Sequence, residues 1–387
     1  MTTLLDGIWV LDLASVGPAA RASRWLADYG ASVVKVGPVP TQSGVQITPP
    51  FHAYSAQRGL RRVLLDLKAD GGRTAFLDLA ARADVVIESF RPGVVGRLGI
   101  AYTDVQARNP GIVYCSTSGF GQDGPHAQWA GHDLNYLAVS GFLDCSERGA
   151  DGRPPLPGAT VADSAGGGMH AVIAILAALV RRGATGEGAY LDVSVADGML
   201  SLMALSVDDH LATGAAQGPG AGLLTGRYAC YGVYGTSDGG WLTVAAIEPR
   251  FWSNLCSLLG LAKWAAHQTD DDVQDQIRAE LEAVFRTRPR DEWVAFLAPE
   301  DTCVAPVLGI AEVPDDAQYL ARGDFAVAKH PEHGSFRQVG ATLAGMAAVA
   351  DDREVRDAEV TDTDEILAWA GLTAGEIAAL RADGVAA

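Results

Sequence analysis

The first part of the chain alternates between short apolar runs and stretches with helical spacing. The run Gly7 to Leu13 is mostly apolar and predicts a buried strand. Residues 19–29 predict a helix that ends at Gly30, and residues 31–36 form a second apolar, β-branched run. This order predicts a strand–helix–strand unit.

The same alternation continues further along the chain. Residues 71–82 have a helical pattern, and residues 84–88 and 111–115 have strand patterns. Helices that alternate with short β-branched strands are typical of a parallel sheet covered on both faces. We therefore predict an α/β fold with a Rossmann-like, doubly wound large domain.

The pattern changes beyond residue 195. The large domain is predicted over 1–195 and a linker over 196–220, because Gly and Pro cluster at 218–222. A smaller α+β domain is predicted over 221–312.

Two local signals support helices in the second half. Thr373 with Glu376 forms the sequence pattern of a capping box, so a helix should begin there. A second helix is predicted from apolar residues that share one helical face, namely Val273, Ile277, Leu281 and Val284.

Composition narrows the function classes. The 387 residues carry a formal charge of -18, which argues against a nucleic-acid binder, because phosphate binding needs a basic face. The five cysteines are scattered and form no CxxC pair, which favours reduced thiols in a cytoplasmic protein. The sequence has no cluster of metal-ligand residues, so we do not expect a metal site.

Residues 164–180 form the most apolar run. They include three consecutive glycines and a histidine and end before Arg181 and Arg182, which makes a membrane span a poor fit. We expect a helix buried on all sides and no membrane partner. The N-terminus lacks the basic region of a secretory signal.

A formal GxGxxG sequence occupies Gly119 to Gly124. A dinucleotide-binding turn would follow the first strand and open a helix, whereas this motif follows what we count as the fourth strand. The glycines are therefore expected to allow close approach of the backbone to another segment or to a ligand. The adjoining Gly131-His132-Asp133 is the more informative sequence.

Ten motifs in order resemble the class III CoA-transferase family (CaiB/BaiF type), and within it the α-methylacyl-CoA racemase branch. The resemblance covers nearly the whole chain. The motifs are GIWVLDL (7–13), LADYGA (26–31), RVLLDLK (62–68), FRPGV (90–94), RLG (97–99), SGFGQDGP (118–125), GHDLNY (131–136), AD (162–163), AIEP (246–249) and DTCVAPV (301–307).

The resemblance implies that residues 313–387 form a return linker and C-terminal helices that pack on the large domain. It also implies an interlocked homodimer, with active sites between the large domain of one subunit and the small domain of the other. It implies an acyl-CoA substrate and no separate cofactor, since coenzyme A is part of the substrate. Its racemase pattern places His132 and Asp163 as the two bases of a 1,1-proton transfer. Glu248 matches the carboxylate that pairs with the imidazole.

The chemistry suits these residue types. Inverting the carbon next to a thioester needs one group on each face, and each group must change protonation near neutral pH. Histidine does so unperturbed, and a carboxylate does so once its pKa is raised. From the residues alone, His132 also fits a scaffold histidine, and Asp163 also fits a helix N-cap.

Supporting and CoA-binding residues complete the predicted site. Asp133 and Tyr136 are expected beside the histidine, while Gly166 and Gly167 follow Asp163 in a segment whose open amides could stabilise an enolate oxyanion. The phosphates of CoA need cations. The candidates are Arg58, Arg61, Arg62, Arg91 and Arg97.

Three departures from the racemase pattern leave the reaction and the substrate open. Ala159 stands where an asparagine is expected, Gly37 follows the second strand in place of an acidic residue, and residues 360–364 replace a Gly-Glu-His motif.

The leading hypothesis is a racemase or epimerase of 2-methyl-branched acyl-CoA thioesters. The alternative is a CoA-transferase in which Asp163 is the nucleophile and forms an aspartyl-CoA thioester. A third possibility, a binding protein without catalysis, is expected to lack at least one of His132, Asp163 and Glu248, and all three are present.

Overall fold

The computed structural model describes residues 3–14, 16–40, 50–53, 59–346, 353–356 and 360–387. The strands are β1 (Trp9–Asp12), β2 (Ser32–Gly37), β3 (Arg61–Leu64), β4 (Val85–Glu88), β5 (Val113–Ser118), β6 (Ala189–Ser194), β7 (Tyr231–Gly235), β8 (Trp241–Ala245), β9 (Val304–Pro306), β10 (Phe325–His330), β11 (Gly334–Val339) and β12 (Arg353–Glu354).

The α-helices in chain order are α1 (Gly17–Asp28), α2 (Asp70–Ala80), α3 (Val94–Leu98), α4 (Tyr102–Gln106), α5 (Asp133–Val139), α6 (Phe142–Cys145), α7 (His170–Thr185), α8 (Val195–Leu202), α9 (Ala204–Thr213), α10 (Pro249–Leu258), α11 (Gln274–Phe285), α12 (Arg290–Leu297), α13 (Ala317–Arg322), α14 (Thr363–Trp369) and α15 (Ala374–Ala382). A π-helix, Ala162–Met169, leads directly into α7.

The chain divides into two compact units. Unit 1 comprises residues 1–140, 157–203 and 317–387, and unit 2 comprises residues 141–156 and 204–316. The C-terminal segment therefore clusters with the N-terminal part of the chain.

Unit 1 is built on a six-stranded parallel sheet. Its strand order is β3-β2-β1-β4-β5-β6, so β1 pairs with both β2 and β4. This is the order of the doubly wound dinucleotide-binding folds, in which ligands bind beyond the carboxyl ends of the strands where the order reverses. The structure thus confirms the predicted α/β fold with its parallel sheet.

Alternate side chains of the central strands fill two cores. Val86 and Tyr114 pack with residues of α2, α14 and α15, whereas Ile87 and Cys115 pack with residues of α1 and α7. All residues of β4 are buried, which explains the continuous apolar runs in the sequence, because a parallel sheet between helical layers has no exposed face.

The predicted helix signals in the C-terminal part and in unit 2 are confirmed. Thr373 accepts from the Glu376 N–H, and the Glu376 carboxylate accepts from the Thr373 N–H at 2.7 Å. In α11, Ile277 and Leu281 are buried in the core of unit 2. That core covers an antiparallel sheet of order β7-β8-β9.

Most of the predicted linker over 196–220 is helical, because α8 and α9 occupy residues 195–213. The apolar start of α8 packs on the π-helix, and Met199 is fully buried. Residues 141–156, expected in the large domain, cluster with unit 2, where the Gly220 N–H donates to the Cys145 carbonyl at 3.2 Å.

The π-helix and α7 form one helical segment, Ala162–Thr185, that is long and apolar enough to cross a membrane by length and composition alone. It is not buried on all sides, contrary to expectation. Ala171 and Ile175 pack in the core with α1, but Ile173 and Val180 are exposed. The segment therefore has one buried and one open apolar face.

Gly198→Ala tests the crossing of α8 and the π-helix. A Cβ atom at Gly198 would lie 1.9 Å from the Gly166 carbonyl oxygen, so one helix must move. We expect the free energy of unfolding to fall by about 1–3 kcal/mol, or more, in urea titrations. Gly183→Ala on exposed α7 is the control, since its Cβ would meet no atom within 4 Å and should not destabilise the chain. Equal midpoints for Gly198→Ala and wild type would contradict the close crossing.

Candidate active site

The segment between β5 and α5 places His132 at the start of a helix. His132 is exposed, has extended backbone dihedrals and is the N-cap residue of α5. Its N–H donates to the Asn135 side-chain oxygen at 3.0 Å, and its carbonyl accepts from the Asn135 N–H at 2.8 Å. The helix end therefore fixes the backbone from which the imidazole projects.

Tyr136 holds the preceding turn in place. Its hydroxyl donates to the Gly131 carbonyl at 2.7 Å. A Cβ at Gly119 would lie 2.5 Å from that hydroxyl, and a Cβ at Gly131 would lie 2.8 Å from the ring. Burial, followed by Asp163 and Asp133, raises the pKa of Tyr136 to about 12. Gly119, the first glycine of the GxGxxG sequence, is thus required by close packing.

Asp163 lies in the first turn of the π-helix and is tied to α5. Its N–H donates to Asp133 Oδ1 at 2.9 Å, which joins the residue after His132 to the second predicted base. On its other side, Arg21 Nη1 lies 3.4 Å from Asp163 Oδ2. His132, Asp133, Tyr136 and Asp163 are therefore brought together within unit 1.

The electrostatics of Asp163 combine opposing effects. Burial raises the pKa of its carboxyl, Arg21 opposes that rise, Asp133 adds to it and His132 opposes it. A raised pKa brings a carboxyl closer to the range in which it can both release and accept a proton at neutral pH.

Gly166 and Gly167 lie in a helix crossing and not beside open space. Both are buried, and a Cβ at Gly167 would lie 2.6 Å from the Pro18 side chain. The N–H groups of Asp163 and Ser164 already donate to a carboxylate and a carbonyl of the protein. Packing thus explains the small residues. The N–H groups of Asp163 and Ser164 are not the predicted open amides.

Glu248 belongs to unit 2, where it is exposed and is the N-cap residue of α10. The Gln268 side chain donates to the carbonyls of Ala246 at 2.9 Å and Ile247 at 2.7 Å, which fixes the turn that leads to Glu248. Burial, then Glu248, raises the pKa of the Cys303 thiol. Sequence reasoning missed Gln268, because no local pattern links it to a turn twenty residues away.

The predicted arginines have different surroundings. Arg58 lies outside the described residues. Arg61 pairs with Glu365 at 3.0 Å and lies over the Trp9 ring. Burial lowers the pKa of Arg62, and Asp362 opposes that change. Arg61 and Arg62 thus contact the C-terminal segment of unit 1.

Arg91 and Arg97 are exposed near the carboxyl end of β4. Two strands lie between β3 and β4, which puts these two strands about 14 Å apart at the usual spacing. Arg61 and Arg62 begin β3, whereas Arg91 follows the carboxyl end of β4. The structure therefore does not bring the two predicted clusters together.

Glu88 is a buried carboxyl that the sequence pattern did not single out. It ends β4, and its Oε2 accepts from the Phe90 N–H at 2.7 Å. Burial raises its pKa to about 7 despite hydrogen bonds from Ser116 and Phe90. The carboxyl holds the turn that carries Arg91 away from the sheet. In the sequence, Glu88 is the polar residue at the end of an apolar strand pattern, which gives no sign that its carboxyl is buried.

Within the described ranges, no group of three or more His, Cys, Asp or Glu side chains is placed to hold a metal ion. The five cysteines are free thiols, and Cys115, Cys230 and Cys256 are buried.

The chain is similar in sequence to proteins of known family. The model of CoA-transferase family III matches residues 5–353. Over 382 residues, 98% of this chain and 96% of the relative, it is 32% identical to alpha-methylacyl-CoA racemase of Homo sapiens. It is 30% identical to acetyl-CoA:oxalate CoA-transferase of Acetobacter aceti over 329 residues, 82% of this chain and 84% of that relative.

A solved structure has the same fold. A CAIB/BAIF family protein from Brucella suis superposes with a TM-score of 0.75 and 28% identity, over 99% of this chain and 100% of that one. The chain therefore belongs to CoA-transferase family III, and it is an enzyme of that family acting on acyl-CoA.

Proposed function

We propose that this enzyme is a racemase or epimerase of 2-methyl-branched acyl-CoA thioesters. The observation that carries the proposal is the connection between α5 and the π-helix. His132 caps α5, and the next residue, Asp133, accepts the Asp163 N–H at 2.9 Å. One proton-transfer group stands at the start of each helix, and the Asp133 side chain links the two helix starts through its hydrogen bond with the Asp163 N–H.

The reaction is a 1,1-proton transfer. One of His132 and Asp163 removes the α-proton of the thioester and leaves an enolate, and the other returns a proton to the opposite face. An imidazole exchanges protons readily near neutral pH. Burial raises the pKa of Asp163 in the direction that general acid–base work requires. Tyr136 and Asp133 support the pair, and Glu248 is proposed as the carboxylate that orients the imidazole.

We propose a homodimer on the strength of the open apolar faces. Ile173 and Val180 on α7 are 67% and 77% exposed, and Leu205 and Leu211 on α9 are 73% and 75% exposed. Each helix thus leaves two large apolar side chains open to water, and an open apolar surface larger than usual marks an interface.

The alternative is a CoA-transferase, and the Arg21 contact favours it. A guanidinium 3.4 Å from Asp163 stabilises the carboxylate, which is the nucleophilic form. In that reaction Asp163 attacks the thioester carbonyl and releases CoA as its thiolate, leaving a mixed anhydride. The thiolate then attacks the aspartyl carbonyl, which releases the acyl group as a carboxylate and leaves an aspartyl-CoA thioester.

Hydrogen exchange at the α-carbon tests the racemase. In heavy water, without an acceptor acid, the enzyme should incorporate deuterium at the α position of a 2-methylacyl-CoA. His132→Ala and Asp163→Ala should each slow this at least about 100-fold, since each removes one proton-transfer group. Mass spectrometry follows the label, and exposed Arg153→Gln serves as the control.

The opposite result is equally informative. If a panel of branched thioesters shows no deuterium uptake while CoA passes to added carboxylic acids, the racemase proposal is wrong. In that case Asp163→Ala should abolish CoA transfer, because Asp163 would be the nucleophile.

Arg91→Gln tests the CoA contact. Loss of one phosphate partner should raise KM for acyl-CoA about tenfold with kcat nearly unchanged, because the contact is the same in substrate and transition state. Steady-state kinetics give both constants. A fall in kcat at constant KM would place Arg91 in the chemistry and contradict a binding role.

The dimer proposal is tested by mass in solution. Light scattering should give twice the chain mass of 40.4 kDa. Leu211→Glu should shift the enzyme towards the monomer, because a charge in an apolar interface is costly. Leu156→Glu changes an equally exposed loop residue and serves as control. A single-chain mass for wild type at micromolar concentration would reject the dimer.

A further inference from the structure

Arg21 is a cation placed directly at the reactive carboxyl. Its Nη1 lies 3.4 Å from Asp163 Oδ2, and its Nη2 donates to Thr160 Oγ1 at 2.8 Å. The side chains of Arg21 and Asp163 are only 20% and 19% exposed. The guanidinium is therefore held from two sides in a partly desolvated position, where charge interactions are stronger than at an open surface.

The position of Arg21 follows from glycines in the π-helix. A Cβ at Gly167 would lie 2.6 Å from Pro18, and a Cβ at Gly168 would lie 2.8 Å from Trp25 and 3.2 Å from the Arg21 Cβ. Only glycine allows α1 to approach this closely. The same close approach brings the guanidinium within reach of Asp163, one turn earlier in the π-helix.

The remaining charges around Asp163 do not replace Arg21. Among the described residues, His132 also favours the ionised carboxyl, while Asp133 disfavours it. On α1, Arg24 is paired with Asp28. The other titratable groups on the elements packed against the π-helix are Tyr136 on α5, His170, Arg181 and Arg182 on α7, Asp197 on α8, and Tyr190 and Asp192 on β6.

We propose that Arg21 is a positioning residue that keeps Asp163 ionised in the resting site. For the enantiomer whose α-hydrogen faces Asp163, the carboxylate accepts the α-proton and His132 supplies a proton to the opposite face. For the other enantiomer the two roles are exchanged. No net proton is gained or lost. This sequence of events rests on the proposed racemase function.

The effect of Arg21 on the ionisation of Asp163 has a sign that can be measured. The guanidinium attracts the carboxylate form of Asp163 and not the protonated form, so the pair favours the state in which Asp163 is ionised. Removing the guanidinium should favour the protonated carboxyl. An opposite charge within 4–6 Å lowers a carboxyl pKa by about 1–3 units, and partial exposure reduces that effect.

The first experiment is the pH profile of kcat/KM for α-hydrogen exchange. In Arg21→Gln the acid limb should move to higher pH by about one unit, because the carboxyl now ionises only at higher pH. Arg21→Lys keeps a positive charge, so its acid limb should move by no more than half as much. Arg181→Gln removes the same charge from exposed α7 and should leave the limb in place. Circular dichroism verifies that each variant is folded.

A second readout does not depend on activity. In protein labelled with 13C at the aspartate carboxyls, the signal that is absent from Asp163→Asn belongs to Asp163. Its titration midpoint should rise in Arg21→Gln and not in Arg181→Gln.

The outcomes separate the two proposals. An unchanged midpoint and an unmoved acid limb in folded Arg21→Gln would overturn the role of Arg21, even if activity falls. Equal shifts in Arg181→Gln would do the same, because they would show only an effect of net charge. If wild type shows neither exchange nor transfer but the midpoint still rises, the proposed function fails and the electrostatic role of Arg21 holds.

Discussion

The close crossing of the π-helix with α1 and α8 is the constraint on which the candidate site depends. Three consecutive glycines, Gly166 to Gly168, lie between α1 and α8. A Cβ at Gly167 would lie 2.6 Å from Pro18, one at Gly168 would lie 2.8 Å from Trp25, and one at Gly166 would lie 3.0 Å from Met199. Helices with ordinary side chains pack with axes 8–10 Å apart. By allowing a closer approach, the glycines bring Arg21 to the first turn of the π-helix, where Asp163 lies. A π-helical turn at such a place is common in functional sites.

A second constraint comes from the sheet. The strand order places the ends of β1, β4 and β5 side by side, and each end is fixed by a buried carboxyl or by close packing. Asp12 accepts from the Ala14 N–H and pairs with Lys35, and Glu88 accepts from the Phe90 N–H. These contacts determine how the chain leaves the sheet. The loops that carry the chemistry are therefore held by groups that take no part in it, as expected for sites supported by a rigid scaffold.

The sequence predicted what local patterns encode. Continuous apolar runs predicted β1, β2, β4 and β5 of the parallel sheet but not β3 or β6. The Thr373–Glu376 pair predicted the start of α15, because that signal also lies within a few residues. The pattern did not distinguish a π-helix from an α-helix, since both present apolar faces at similar spacing. It placed a linker over residues 196–220, where Met199 completes a helix crossing. It could not find Arg21, because 142 residues separate it from Asp163 and only the folded α1 brings them together.

The pair of Arg21 and Asp163 also shows why the residue types alone leave two reactions open. A proton-transfer enzyme needs Asp163 in both protonation states during one cycle, whereas a nucleophile needs only the carboxylate. Burial pushes the carboxyl towards the neutral form, and Arg21 pushes it back. The chain has a formal charge of -18, but the local charge beside this carboxyl is the positive Arg21 guanidinium, which stabilises the carboxylate. The balance between desolvation and this cation, more than the presence of His132 or Asp163, decides how much of the carboxyl is available as base, acid or nucleophile at a given pH.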